Sequence, residues 1–386
     1  MRYTDTPGSR WSDCIVAGRG RPRDSSAASV GVVDGEGCGP EIVRAALAVL
    51  EALAAEGAVR AAVRRAPVDA AAAGGTLGEG LAAFCADVFA EGGALLCGPV
   101  GGRFVYELRA RFDLFCKLVP LRPIPALGAA GPLRPEHLAG VDVLLVRENA
   151  AGVYQGHWSE RRDPAGGRRA EHAFSYTERE VRRIVDAAVC LARRRRGRLA
   201  VVLKDGGVPS ISGLWRDVAA AAAGAAGVTA AFVNIDLAAY RLVQEPATLD
   251  VIVAPNLFGD VLADVGAVLL GGRAHSFSGN FAAGGAAVYQ TNHGAAADLA
   301  GTDRANPVGQ ILSLAMLLRE SAGLDAAADW VERAVADTWA AGWRTAEAAA
   351  AGGRVVGTRE MGLRIADAAA RLAREGQSGA AGAAAD

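Results

Sequence analysis

The most constraining feature of this sequence is a repeated alternation of short apolar runs with longer stretches of helical spacing. The runs fall at residues 29–33, 94–97, 141–146, 199–203 and 251–254, and Ala-, Leu- and Arg-rich segments separate them. Runs of this length suit strands buried on both faces, and such strands need helices to cover them. An α/β fold with a helix-covered sheet follows. Two helix starts can be placed within it. Pro40 after Gly39 suits a first turn, where the missing N–H costs nothing. Thr177 with Glu180 forms a capping-box pattern ahead of Val181 and Ile184. The apolar stretch 218–233 is too short to span a bilayer and is mostly Ala and Gly, so it is expected to be a buried helix ending near Gly224 or Gly227. Residues 155–169, with Pro164, Gly166 and Gly167, are expected to form a polar excursion between elements.

With 386 residues, 51% hydrophobic and 22% charged, the chain can bury a large core, which excludes a disulfide-stapled miniprotein and a wholly disordered chain. A formal net charge of −1 argues against binding nucleic acid or an anionic membrane by bulk charge. Residues 1–28 lack periodicity and a continuous apolar core of a leader, and are expected to be a flexible extension; residues 376–386 are expected to be a disordered tail. The six cysteines are scattered, with no pair at zinc-site spacing, so free thiols in a reducing cytoplasm are expected. Of 41 basic side chains only Lys117 and Lys204 are lysine. Lysine, unlike arginine, can lose its proton in a protein, which singles both out. The arginine run at 193–196 with Arg198 is expected to be the solvated last turn of a helix.

Four segments carry candidate chemistry. Gly35-Glu36-Gly37-Cys38-Gly39-Pro40-Glu41 follows a strand and leads into a helix N-terminus, where anions are favoured; it is not a G-x-G-x-x-G fingerprint. Asp260 and Asp264 stand four residues apart, so one helix face carries both carboxylates, a hard-oxygen pair suited to Mg²⁺ or Mn²⁺; the alternative is a solvated face. Arg147 ends an apolar strand, where α/β folds place ligands, and Arg109 offers a second fork for a carboxylate. Tyr154 is a candidate proton donor or a packing tyrosine. His293-Gly294 with Asp298 and Asn306 forms a small-residue segment against which a flat ligand can lie.

Taken in order, these motifs resemble the isocitrate/isopropylmalate dehydrogenase family, the metal-dependent β-decarboxylating dehydrogenases. The similarity runs from about Val30 to Ile365 and is strongest at residues 256–264, at 293–307, and in Val146-Arg147-Glu148-Asn149 leading to Gly152-Val153-Tyr154. The resemblance implies a two-domain α/β fold that closes over a cleft and works as a homodimer with shared active sites. Residues 29–114 plus 271–375 would form the large, cofactor-binding domain, and 115–270 the small domain for substrate, metal and dimerisation. It further implies that Arg109 and Arg147 grip substrate carboxylates, that Asp260 and Asp264 bind Mg²⁺ or Mn²⁺ with Asp236 of the partner subunit, and that Lys204, also from the partner, takes part in removing the hydroxyl proton. Tyr154 would protonate the enol carbon after CO2 departs. Asp298 matches the acid that receives the adenosine ribose hydroxyls in NAD-using members, with His293, Gly294 and Asn306 lining the adenine side.

Four positions depart from the family pattern. Glu36 stands in place of Asp, Gly206 in place of an Asn near the nicotinamide, and Gln290 in a stretch that commonly begins with Glu. Val119 fills the slot of a third carboxylate-binding arginine, two residues from Lys117. In the substrate-selecting segment, Val105 permits an apolar substituent, as in isopropylmalate, whereas Arg103 favours an acidic one. The expectation is therefore an NAD- and metal-dependent cytoplasmic enzyme that oxidatively decarboxylates a malate-like 2-hydroxy acid, a specialised member with an isocitrate-, homoisocitrate- or phosphonomethylmalate-like substrate. The alternatives are 3-isopropylmalate dehydrogenase, tartrate or D-malate dehydrogenase, and a catalytically silent regulatory subunit. No nucleic-acid or membrane partner is expected.

Overall fold

The computed structural model describes residues 10–16, 27–67, 75–128 and 131–383. In chain order the strands are β1 (Ala27–Val33), β2 (Arg60–Arg65), β3 (Ala94–Cys97), β4 (Cys116–Leu121), β5 (Val143–Glu148), β6 (His157–Arg162), β7 (Arg168–Ala173), β8 (Arg198–Leu203), β9 (Thr229–Asn234), β10 (Val251–Ala254), β11 (Phe277–Phe281), β12 (Ala287–Thr291), β13 (Trp343–Arg344) and β14 (Arg354–Val355). The helices are α1 (Gly39–Ala55), α2 (Glu79–Ala90), α3 (Phe104–Arg111), α4 (Pro125–Gly128), α5 (Pro135–Leu138), α6 (Glu178–Arg193), α7 (Pro209–Ala226), α8 (Ile235–Gln244), α9 (Asn256–Gly266), α10 (Val308–Glu320), α11 (Asp325–Ala340) and α12 (Thr358–Ala383).

Ten strands make one sheet in the order β2-β1-β3-β12-β11-β4-β5-β10-β8-β9. Both flanks are parallel, and the centre, β12-β11-β4-β5, is antiparallel. The apolar runs are the sheet's buried strands, as their composition predicts; β3, β4, β5 and β10 are buried along their whole length. One apolar cluster unites residues of α1, α6, α7, α10, α11 and α12 with the sheet, a second lies between β4, β5, β10 and helices α8 and α9, and a third gathers α2 and α3.

The helix starts hold. Pro40 lies in the first turn of α1, and the Thr177 hydroxyl accepts the Glu180 N–H at 3.3 Å while the Glu180 carboxylate accepts the Thr177 N–H at 2.7 Å. Helix α7 ends where Gly227 turns left-handed, φ 66°, a conformation that costs glycine least.

Five expectations are corrected. Residues 155–169 are not a loop, because β6 and β7 form an antiparallel hairpin. The hairpin is exposed on both faces, so it carries no apolar alternation. Part of the N-terminal extension is anchored: Trp11 and Ile15 are buried in the main cluster, and Ser12 bonds Glu320 through its N–H at 2.8 Å and its hydroxyl at 3.0 Å. Residues 27 and 28 already belong to β1, while 1–9 and 17–26 lie outside the described residues. The C-terminal tail is helical, since α12 continues to Ala383, and 384–386 lie outside the described residues. The cysteines are not all free: Cys14 is disulfide-bonded to Cys190, which ties the N-terminal segment to α6, and Cys38, Cys85, Cys97 and Cys116 are free and buried. Finally, the arginine run after α6 is not wholly solvated. Arg195 is buried and pairs with Asp250 at 2.9 Å and Asp142 at 3.0 Å, which fastens this turn to β10. Among the described residues, no helix is long and apolar enough to cross a membrane.

Candidate active site

The site forms where the carboxyl end of β5 meets the start of α9. Arg147 sits one residue from the end of β5, opposite Lys117 on β4 and Ala254 on β10. Its side chain turns onto α9, donating from Nε and Nη2 to the Asn256 amide oxygen at 3.1 and 2.8 Å and from Nη1 to Asp260. Gly259 makes this approach possible, because a Cβ there would lie 2.7 Å from Arg147 Cγ. Asn256 is itself held: its side-chain amide donates to the Ala151 carbonyl at 2.7 Å, and its N–H donates to the Tyr176 hydroxyl at 2.9 Å.

Tyr154 lies on the loop after β5, and its hydroxyl donates to the second oxygen of Asp260 at 2.8 Å. The Tyr106 ring packs against it with centroids 5.0 Å apart. Burial and the bond to Asp260 push the Tyr154 hydroxyl's pKa above its ordinary value. Burial would raise the Asp260 carboxyl, but Arg147, Lys117, Tyr154 and Arg109 outweigh it and hold it below the usual range. Asp264, one turn on, pairs with Arg273 at 3.0 Å.

Arg109, Lys117 and Arg147 are 5%, 4% and 1% exposed. Burial, then the neighbouring Arg147, lowers Arg109 to about 9. Burial, followed by Arg109 and Arg147, takes Lys117 well below its ordinary value. Arg147 is ion-paired, whereas among the described residues the Arg109 side chain has the Tyr106 ring, 5.7 Å from its guanidinium carbon, and no ion pair. Val119, in the slot where the family pattern has a third arginine, points into the apolar cluster with Leu121 and Leu145 and is fully buried. Arg103 is already employed: it donates to the Tyr154 carbonyl at 3.2 Å and stacks over Trp158 at 4.7 Å. Val105 is half-buried against the α2–α3 cluster.

Lys204 and Asp236 stand apart from this group and pair with each other at 2.9 Å, both substantially exposed. The bond to Lys204 lowers the Asp236 carboxyl. Neither is hydrogen-bonded or ion-paired to Asp260 or Asp264. Among the described residues, no group of three or more His, Cys, Asp and Glu side chains is placed to hold a metal ion. One chain therefore supplies two carboxylates on one helix, α9, a hard-oxygen donor pair of the kind that suits a divalent cation.

A cavity of about 500 Å³ opens beside the loop into α1, with Cys38, Arg273, His293, Gly294, Asn306 and Glu347 among its walls. Asn306 donates to Glu347 at 2.6 Å, and burial lowers the His293 pKa. Asp298 is exposed on a short turn whose Leu299 lines the cavity. The glycine-rich segment packs against the same wall: Cys38 N–H donates to the Ala295 carbonyl at 2.8 Å, and a Cβ at Gly37 would meet that oxygen at 2.0 Å. Arg273 links the two regions, since it both lines the cavity and pairs with Asp264. Asn256 and Glu347 were missed as site residues. Asn256 opens a motif whose acids drew attention first, and Glu347 lies in an alanine-rich stretch with no pattern of its own.

Comparison with known proteins accords with this geometry. The family model described as isocitrate/isopropylmalate dehydrogenase matches residues 29–365. The chain is 38% identical over 354 residues to the 3-isopropylmalate dehydrogenase of Gloeobacter violaceus, covering 87% of this chain and 96% of that one. It is 36% identical over 349 residues to the Geobacillus kaustophilus protein of the same name, covering 86% and 93%. Among solved structures, isocitrate dehydrogenase from Methylococcus capsulatus superposes with a TM-score of 0.77 at 27% identity, covering 89% of this chain and 99% of that one. The chain belongs to the isocitrate/isopropylmalate dehydrogenase family.

Proposed function

We propose that the protein oxidises and decarboxylates 3-isopropylmalate or a close 2-hydroxy diacid, using NAD and Mg²⁺ or Mn²⁺. The observation that carries this reading is the Arg147–Asp260–Tyr154 constellation, which sets a carboxylate-binding cation, an acidic ligand and a proton donor within one hydrogen-bonded group. The specialised substrate expected from the sequence gives way to 3-isopropylmalate for two reasons. Arg103, the residue that favoured an acidic substituent, is bonded to Tyr154 and Trp158, and the relatives compared bear the name 3-isopropylmalate dehydrogenase.

The protein's own residues divide the work. Arg109 and Arg147 bind and orient the carboxylates. Asp260 and Asp264 hold the cation, with Asp236 from a second copy. That copy's Lys204 receives the substrate hydroxyl proton as the C–H hydride leaves. Tyr154 then gives its proton to the carbon from which CO2 has departed. The divalent cation, when bound, acidifies the substrate hydroxyl and stabilises negative charge on the enolate. His293, Gly294 and Asn306 would hold the adenosine end of NAD, and Asp298 would receive its ribose hydroxyls and repel a 2′-phosphate; the bound cofactor would supply the hydride acceptor.

A homodimer is supported by the exposed apolar side chains Leu237 and Tyr240 on α8 and Leu257 and Val261 on α9, a grouping that a second copy would cover. The test is NADH formation with CO2 release from 3-isopropylmalate in the presence of Mg²⁺, abolished by chelation and by Lys204→Ala. Absence of NADH with 3-isopropylmalate, isocitrate, homoisocitrate, tartrate, D-malate and phosphonomethylmalate alike would overturn the reading. An active enzyme that is unaffected by Lys204→Ala would overturn the mechanism.

A further inference from the structure

The buried cations of the site outnumber their partners. Arg147 is neutralised by Asp260, and Asp264 is taken by Arg273. Arg109 and Lys117 remain, both more than nine-tenths buried, and among the described residues neither side chain makes an ion pair or hydrogen bond. An unpartnered buried cation is costly, and an anion that reaches Arg109 and Lys117 relieves that cost. Lys117 is the less expected of the two. It stands across the ladder from Arg147 on one side and from Asn280 on the other. Side chains alternate along a strand, so Lys117 shares its face with Val119 and Leu121, which go into the apolar cluster under α9. At 117 the ladder partner on that face is Arg147, and the charges of Arg109, Arg147, Asp260 and Asp264 all act on Lys117.

We propose that Lys117 contacts the substrate, its ammonium holding the second carboxylate of the 2-hydroxy diacid together with Arg109. This assignment rests on the function proposed above and extends it: Lys117 supplies, from two residues away, the cation that Val119 does not. It makes the pocket selective for diacids over monoacids of the same shape.

The experiment compares dissociation constants for 3-isopropylmalate and for 2-hydroxy-4-methylpentanoate, which has the same skeleton without the second carboxylate, in the full-length protein with Mg²⁺. Lys117→Met should weaken the diacid on the order of 10- to 100-fold and leave the monoacid within about twofold, whereas Lys117→Arg should stay within about fivefold of wild type for both. Methionine fills similar volume and removes an unpaired charge, so the melting temperature should not fall. An unchanged diacid constant in Lys117→Met, or equal weakening of both acids, would overturn the assignment and leave the proposed function standing. Wild-type protein that binds neither acid, nor any other diacid of the panel above, would overturn the functional reading, and this inference with it.

Discussion

Tyr154 and Asp260 are joined by a 2.8 Å hydrogen bond that links the loop after β5 to the first turns of α9, so the residue assigned as proton donor rests on a residue assigned to the cation. Replacing Tyr154 by Phe removes only the hydroxyl. The ring keeps its contact with Tyr106, and folding is retained. We expect kcat to fall on the order of 100-fold or more with KM changed less than about threefold, because a positioned acid contributes to the transition state and not to ground-state binding. Steady-state kinetics beside a thermal melt would separate the two; an equal rise in KM would refute the assignment.

The contact between Arg147 and α9 depends on the absence of a side chain at 259. Gly259→Ala puts a methyl 2.7 to 2.8 Å from Arg147 Cγ and Cβ, both on a fully buried side chain that cannot swing away. A loss of about 1 to 3 kcal/mol in chemical denaturation is expected, with weakened diacid binding as the guanidinium is displaced. A variant as stable as wild type would show that α9 shifts freely.

Glu148, beside the site, is almost wholly buried and raised from 4.5 to about 7, first by burial, against the opposing N–H groups of Ala150 and Ala151. A carboxyl whose folded pKa lies above its unfolded one binds protons more readily in the folded state. The stability it adds is full below about pH 4.5 and is lost as pH rises to about 7. Glu148→Gln should flatten this stretch, so the wild-type-minus-variant difference in unfolding free energy should fall with pH across that window. A difference constant with pH would contradict it.

The Cys14–Cys190 bond spans a sequence separation of 176 and anchors Trp11 and Ile15 in the main core. Cys14→Ser should cost about 2 to 5 kcal/mol, the range for a link closing a long loop. With the anchor gone, Trp11 should become more exposed. A red shift of tryptophan emission on adding reductant to wild type, absent in the variant, would check it; melting temperatures unchanged by reductant would refute it.

The parts of the structure that were legible in the sequence are those where local chemistry and final environment agree. The Thr177–Glu180 box, Pro40 in α1 and the acid pair on α9 each depend on neighbours within a few residues. The failures have the opposite character. Cysteines 176 residues apart give no spacing to read. The segment holding Trp11 is too short for periodicity, and the β6–β7 hairpin, wet on both faces, has no alternation. Position 119 could be compared with a motif, but only the packed strand shows its side chain in the apolar cluster, and only the same strand shows Lys117 beside Arg147.

The central ladder between β11 and β4 has three residue pairs, Gly279–Leu118, Asn280–Lys117 and Phe281–Cys116, and joins the strands drawn from 27–97 and 277–291 to those from 116–254. The Asn149 amide, donating to Asn280 at 3.0 Å, adds a side-chain tie across the same line. Residues on this line are tied by the sheet's backbone hydrogen bonds to both runs of strands. Lys117 lies on that line, paired with Asn280 on one side and with Arg147 on the other. On the assignment proposed above, a diacid held by Lys117 would be anchored to both runs of strands at once.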